Sequence, residues 1–247
     1  MSVRETWFIL GASSAIARAM ARQVAALGCD VVLAGRDGDD LARNIADITA
    51  CTDVTATQLI FDADNPNDRA ALVTLAEATP GIINVAVLFG LMPPQSEIDA
   101  DPNLALACIN ATFTSAAVTL HMLAPILEKR RAGCIIGVGS VAGDRGRLPN
   151  YVYGAAKAGF HTYLAGLRNR LGRAGVHVLT VKPGFVDTAM TWGLPGLFLV
   201  APPEDAASAM LQAAKRRRPI IYVPWFWRYI MLIIQHIPER IFMRLKI

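Results

Sequence analysis

Tyr153 and Lys157 stand four residues apart in Tyr153-Gly154-Ala155-Ala156-Lys157, within a stretch that reads as helix. Residues at that spacing share a helical face, so the phenol and the ammonium project to the same side. An unperturbed tyrosine, with a pKa of about 10, exchanges protons poorly at neutral pH. A nearby ammonium favours phenolate and draws that value toward the working range. Ser140 precedes Tyr153 and ends a strand-like run, Gly137-Val138-Gly139-Ser140. From the carboxyl end of a strand its hydroxyl can hold a carbonyl oxygen and stabilise charge developing there; as a lone residue it reads equally as a turn serine. Asn110 lies inside a helical stretch, where an amide is an awkward helix former. It suits an ordered-water or active-site role, or a core amide satisfied by its neighbours.

A second group of residues points to nucleotide phosphate. Gly11-Ala12-Ser13-Ser14-Ala15-Ile16-Ala17 falls where a first strand turns into a first helix, a position whose free amides and positive macrodipole attract anions. Gly11 permits the tight turn, and Ser13 and Ser14 offer hydroxyls. Ala15 and Ala17 occupy positions often held by glycine, so the loop alone reads as readily as a small-residue helix start. The next strand ends in Gly35-Arg36. An acid there receives a ribose 2′-hydroxyl, whereas Arg36 brings forked donors suited to a 2′-phosphate; Asp37 follows it. This favours NADP(H) over NAD(H). Asp62, in Phe61-Asp62-Ala63, is placed to cap an adenine amino group or to close a turn. Pro183-Gly184 makes a sharp exit from a later strand toward the same edge.

These residues need a scaffold. Short apolar runs at 6–10, 30–34, 55–61, 82–88, 134–138, 177–181 and 220–223 lack the alternation of a one-sided sheet and read as buried parallel strands. Helical stretches at 14–27, 39–48, 66–78, 102–131, 151–173 and 204–214 lie between them. The alternation predicts a doubly wound α/β domain with helices on both faces of one sheet. A chain of 247 residues with 53% hydrophobic and 18% charged residues is ample for one such core and argues against disorder. Cys29, Cys51, Cys108 and Cys134 form no Cys-x-x-Cys pair, and the four histidines lack ligand spacing. We expect reduced thiols in a cytoplasmic protein and no metal. No signal peptide is expected.

Taken in order, the Gly11–Ala17 loop, Asp62, Asn110, Ser140, Tyr153 with Lys157, and Pro183-Gly184 resemble the short-chain dehydrogenase/reductase family over about residues 5–223. The resemblance implies a Rossmann sheet of seven strands and hydride transfer to or from a carbonyl carbon. It makes Tyr153 the acid/base and gives Ser140 the substrate oxygen. Lys157 would bind the nicotinamide ribose, and Asn110 would support a water relaying protons to Lys157. Gly11, Ser13, Ser14, Ala15, Ile16, Arg36, Asp62, Ala63 and Gly90 would contact the cofactor. Pro183, Gly184, Val186 and Thr188 would border its nicotinamide end. One departure stands out: the family's Asn-Asn-Ala-Gly after the fourth strand is here Val87-Leu88-Phe89-Gly90, which brings Phe89 near cofactor or substrate.

The C-terminal end is distinct. Residues 215–247 carry eight Lys or Arg against one acid, Glu239, while the whole chain is only +4. A basic segment on a slightly acidic body speaks for a local surface contact and against nucleic acid. We divide the chain into a catalytic domain, 1–223, and an apolar, basic tail, 224–247. The tail is too interrupted by Pro224, Arg228, Gln235, His236 and Pro238 to span a bilayer. Beyond Pro238, Ile241 and Leu245 share one helical face and Arg240 and Arg244 another, which suits the anionic surface of a membrane. Burial in a homodimer or homotetramer interface is the alternative. The tail and the alanine-rich loop are similar to reductases of polyprenyl-phosphate-linked 2-keto pentoses. The apolar loop 185–202, with Met190, Trp192, Leu194, Leu197 and Phe198, suits a substrate lid or simple packing against the tail. Three functions therefore compete: a membrane-peripheral ketoreductase with a lipid-linked or bulky substrate, a soluble carbonyl reductase or alcohol dehydrogenase, and a non-catalytic dinucleotide-binding scaffold.

Overall fold

The computed structural model describes residues 4–192 and 198–245. Seven strands form one parallel sheet: β1 (Glu5–Leu10), β2 (Asp30–Gly35), β3 (Ala56–Ile60), β4 (Ile82–Val87), β5 (Cys134–Val138), β6 (His177–Pro183) and β7 (Ile220–Val223). Their order is β3-β2-β1-β4-β5-β6-β7, so the winding reverses between β1 and β4. Crevices at such a reversal, outside the carboxyl ends of the strands, are where this class of sheet binds ligands.

Alternation along the strands divides the interior into two cores. In β1, Trp7 and Ile9 join one cluster and Phe8 and Leu10 the other, because successive side chains leave a strand on opposite faces. The first face is covered by α1 (Ala15–Ala26), α2 (Gly38–Cys51) and, after a long interval, α8 (Pro203–Lys215). The second is covered by α3 (Pro66–Ala78), α6 (Ser115–Arg130) and α7 (Tyr151–Gly172). The central strands are thus covered on both faces, which is why they read as mainly apolar runs, whereas the edge strand β3 stays largely exposed. The Rossmann-type doubly wound sheet expected from the sequence is present.

Local structure departs from the expected pattern in three places. Two short helices, α4 (Gln95–Ala100) and α5 (Pro102–Ile109), follow the fourth strand. The long helix expected at 102–131 is continuous as a rod but contains a π-helical turn, Asn110–Thr114, before α6 begins. This 29-residue run, Pro102–Arg130, is long and apolar enough to cross a membrane by length and composition alone. Its Leu120, Leu123 and Leu127 are nevertheless fully buried against the sheet. Beyond β7 the chain forms α9 (Trp227–His236) and α10 (Glu239–Phe242). These do not stand apart: Trp227 and Met231 pack with Val141, Phe185 and Tyr222 beside the carboxyl edge of the sheet.

Candidate active site

The phosphate-loop residues sit at the carboxyl end of β1. Gly11 has φ +84°, a conformation that favours glycine, and a Cβ there would come within 2.9 Å of Phe89 Cβ. Ser14 caps α1 by accepting from Ala17 N at 3.3 Å. Ser13, Ser14, Ala15 and Ile16 line one end of a cavity of about 750 Å³. Arg36 lines the same end, exposed just past β2, and Arg18 joins it from the second turn of α1 while pairing with Asp40 at 2.6 Å. Asp37 is occupied: its carboxylate caps α2 by accepting from Asp40 N at 3.0 Å. That engages one of its two carboxylate oxygens.

The opposite end of the cavity holds Ser140, Tyr153 and Lys157, with Pro183, Gly184, Val186 and Thr188 along one wall and Gly90 and Phe89 along the other. Tyr153 and Lys157 project from the first two turns of α7 and are only 6% and 4% exposed. Burial holds the Tyr153 phenol above its ordinary pKa, and the Ser140 hydroxyl beside it works the other way. The same burial pushes the Lys157 ammonium down to about 8. Lys157 Nζ donates to Val138 O at 2.8 Å and lies 5.7 Å from the Tyr153 ring centroid. Ser140 begins a 3₁₀ turn, Val141–Asp144; its Oγ accepts from Ala142 N at 3.1 Å, which leaves the hydroxyl hydrogen free to donate into the cavity.

Several expected residues lie elsewhere. Asn110 is exposed at the start of the π-helical turn and does not line the cavity. The buried polar side chain from that turn is Thr112, whose Oγ1 accepts from Leu91 N at 3.0 Å and lies alongside Gly90 and the Lys157 ammonium. Asp62 is half-buried outside the cavity lining, with Oδ1 accepting from Asp64 N at 3.0 Å, and Ala63 is beside it. Gly11 shapes the turn from behind and does not line the cavity itself. Within the loop at 185–202, Val186 bridges Ala201, Met190 lines the cavity near the phenol, and Trp192 and Phe198 are exposed; Leu194 and Leu197 lie outside the described residues.

Sequence reasoning missed Arg18, Arg147, Asn150 and Thr112, which belong to no motif. Arg147 and Asn150 reach the cavity from the loop before α7; Arg147 Nε and Asn150 Oδ1 meet no partner among the described residues. It also missed His161, although His161 continues the Tyr153–Lys157 spacing by one more turn. Among the described lining residues four are cationic (Arg18, Arg36, Arg147 and Lys157) and none is a carboxylate. A polyphosphate fits such a lining, and the helix start at one end and the phenol at the other fit the two ends of a nicotinamide dinucleotide.

Residues 5–195 match the family described as short chain dehydrogenase. An uncharacterized oxidoreductase of Mycobacterium tuberculosis is 33% identical over 238 residues, covering 96% of this chain and 95% of that protein. One from Streptomyces coelicolor is 28% identical over 242 residues, covering 97% and 95%. Among solved structures, a short-chain dehydrogenase from Sphingobium yanoikuyae in complex with NADPH superposes with TM-score 0.77 at 24% identity, over 95% of this chain and 97% of that one. A bulky-bulky ketone specific alcohol dehydrogenase from Comamonas testosteroni superposes with TM-score 0.80 at 22% identity, over 95% of both chains.

Proposed function

The chain belongs to the short-chain dehydrogenase family and is an oxidoreductase of the CH–OH/C=O class; from that premise we propose that it interconverts a ketone and a secondary alcohol with NADP(H), using Tyr153 as acid/base. The observation that carries this reading is the convergence of Tyr153, Ser140 and Lys157 on a cavity that runs to the start of α1. A bound nicotinamide dinucleotide supplies the hydride. In reduction, the Tyr153 phenol, held protonated by burial, gives its proton to the carbonyl oxygen. The Ser140 hydroxyl donates to the same oxygen and stabilises its developing charge. Lys157, while charged, stabilises the phenolate left behind, and its bond to Val138 O fixes where that charge sits. In alcohol oxidation the proton returns to Tyr153.

Arg36 supports NADP(H) over NAD(H), because it lines the cavity just past β2, where a 2′-phosphate would be received, while one oxygen of Asp37 is taken up in the cap of α2. A charge-assisted hydrogen bond is worth about 1.5–3 kcal/mol, which corresponds to about 10–100-fold in affinity. Calorimetric titration of Arg36→Ala should show NADPH binding weakened by that factor with NADH binding little changed. Equal binding of both cofactors by the wild-type protein would remove the preference, and binding of neither would overturn the nicotinamide-dependent reading itself.

One observation favours a membrane-peripheral enzyme with a lipid-linked or bulky apolar substrate over a freely soluble one. Trp225, Tyr229, Leu232, Ile233, Ile241 and Met243 are exposed on the tail, whose basic residues include Arg228, Arg240 and Arg244. Apolar side chains among cations suit an anionic lipid surface. Leu232→Asp with Ile233→Asp places charges on exposed positions and should abolish co-sedimentation with vesicles containing phosphatidylserine. Full retention of vesicle binding would reject that face as the contact. A shift from dimer to monomer in the variant would assign the face to a second copy of the chain instead.

A further inference from the structure

The loop that carries Ser140 is folded around an imidazole. His161 lies one helical turn beyond Lys157 on α7, and its Nε2 accepts from Ser140 N at 3.3 Å. The flanking residues Gly139 and Gly143 leave room for the ring. A Cβ at Gly139 would overlap His161 Nε2, and one at Gly143 would stand 2.7 Å from Cε1. On its far side His161 Nδ1 faces Asp144 Oδ1 at 3.7 Å. Asp144 is itself immobilised, its side chain 2% exposed, by Lys182 Nζ at 2.5 Å and Tyr222 OH at 2.7 Å. Its carbonyl accepts from Gln235 Nε2 of α9 at 3.2 Å. Asp144 closes the 3₁₀ turn that Ser140 opens, so both ends of the turn are tied to one buried cluster.

We propose that His161 is a positioning residue for Ser140: as a neutral imidazole with a free lone pair at Nε2, it holds the Ser140 main chain by its N–H and so aims the hydroxyl at the substrate oxygen. This rests on the role given to Ser140 above. The surroundings keep the ring in the accepting form. A protonated ring would turn Nε2–H against the Ser140 N–H, donor against donor. Burial, followed by the charges of Lys182 and Lys157, pushes the imidazole pKa down to about 3, so the acceptor is present throughout the physiological range. Asp144 lies close enough to favour a proton on Nδ1, but its charge is compensated by Lys182. With the main chain held by His161 and Oγ accepting from Ala142 N–H, the hydroxyl is fixed in place with its hydrogen available to the cavity that Ser140 lines.

The test compares three variants and one double mutant in the NADPH-loaded enzyme reducing a ketone. His161→Leu fills the space without an acceptor, and should lower kcat about 10–100-fold while NADPH affinity stays within threefold, the loss expected when a transition-state hydrogen bond is misaimed. His161→Gln, whose amide oxygen reaches about where Nε2 sits, should recover most of that loss. In a Ser140→Ala background His161→Leu should cost nothing more, because its effect runs through the hydroxyl already removed. Unimpaired kcat in His161→Leu overturns the proposal, as does an equal loss in Leu and Gln variants. An undiminished loss in the Ser140→Ala background also overturns it, assigning His161 to general packing. If Ser140→Ala alone has no effect, the role of Ser140 in the proposed reaction falls with it.

Discussion

Tyr153→Phe will lower kcat for ketone reduction by about 10³-fold while leaving NADPH binding within twofold of wild type, a loss within the 10²–10⁴ range of a positioned general acid. The substitution removes a single oxygen from a side chain that is 6% exposed, so it changes neither the packing of α7 nor the volume of the wall. Among the described residues the oxygen it removes lies beside Met190 Sδ at 3.9 Å and the Ser140 hydroxyl, neither of them a charged group that the substitution would strand. Burial keeps the phenol protonated, which is the form reduction consumes. Stopped-flow measurement of NADPH oxidation with a saturating ketone reads the step directly. Turnover equal to wild type would remove Tyr153 from the reaction, and a parallel collapse of NADPH affinity would make it a binding residue. Lys157 is the less suited donor, because its Nζ is held by Val138 O.

Much of this site was legible because its chemistry sits at positions the fold repeats. Ser140 follows a strand, Tyr153 and Lys157 open a helix, and Gly11 to Ile16 span a strand-to-helix turn; periodicity and small-residue punctuation betray all three junctions. The strands were legible for a related reason, since the central ones, covered on both faces, are built mainly from Val, Ile, Leu and Ala. Residues that act through three-dimensional juxtaposition left no such trace. Thr112 lies beside Gly90 on a π turn, Asn110–Thr114, in which Thr112 is buried and Asn110 faces the surface. Nothing in the spacing of a helix announces one extra residue in a turn. Arg147 and Asn150 come from an irregular loop, where sequence distance says little about direction. Asp37 reads as a rival to Arg36, and no spacing announces that one of its oxygens turns back onto Asp40 N. The tail was legible as apolar and basic, but its docking was not: that depends on Gly184 leaving space for an indole.

That docking gives the second large effect. Trp227→Ala should destabilise the protein by about 3–5 kcal/mol, the usual cost of truncating a buried aromatic, and lower Tm by roughly 10 °C. Trp227 is 2% exposed, lies 5.3 Å from Phe185 and 5.5 Å from Phe198 between ring centroids, and fills the space where Gly184 lacks a Cβ. Its Nε1 has no acceptor among the described residues, so the loss is one of packing and leaves no stranded partner. Trp225→Ala, two residues away and 71% exposed, should leave Tm unchanged. The effect should also reach the cavity, because Gly184 and Phe185 line its wall while touching the indole; NADPH affinity should weaken in step with the lost support. Arg145 makes the coupling two-sided: it donates to Ile234 O and Ile237 O, each at 2.7 Å, stacks on the Phe242 ring at 3.8 Å, and belongs to the loop just beyond Ser140 and Asp144. Thermal melts with and without NADPH decide the matter. A Trp227→Ala protein with wild-type Tm and cofactor affinity but a tail newly open to trypsin would make the tail an independent appendage. A cooperative fall in both makes it the rear wall of the active site, so that whatever surface the tail engages has a direct mechanical route to the nicotinamide end.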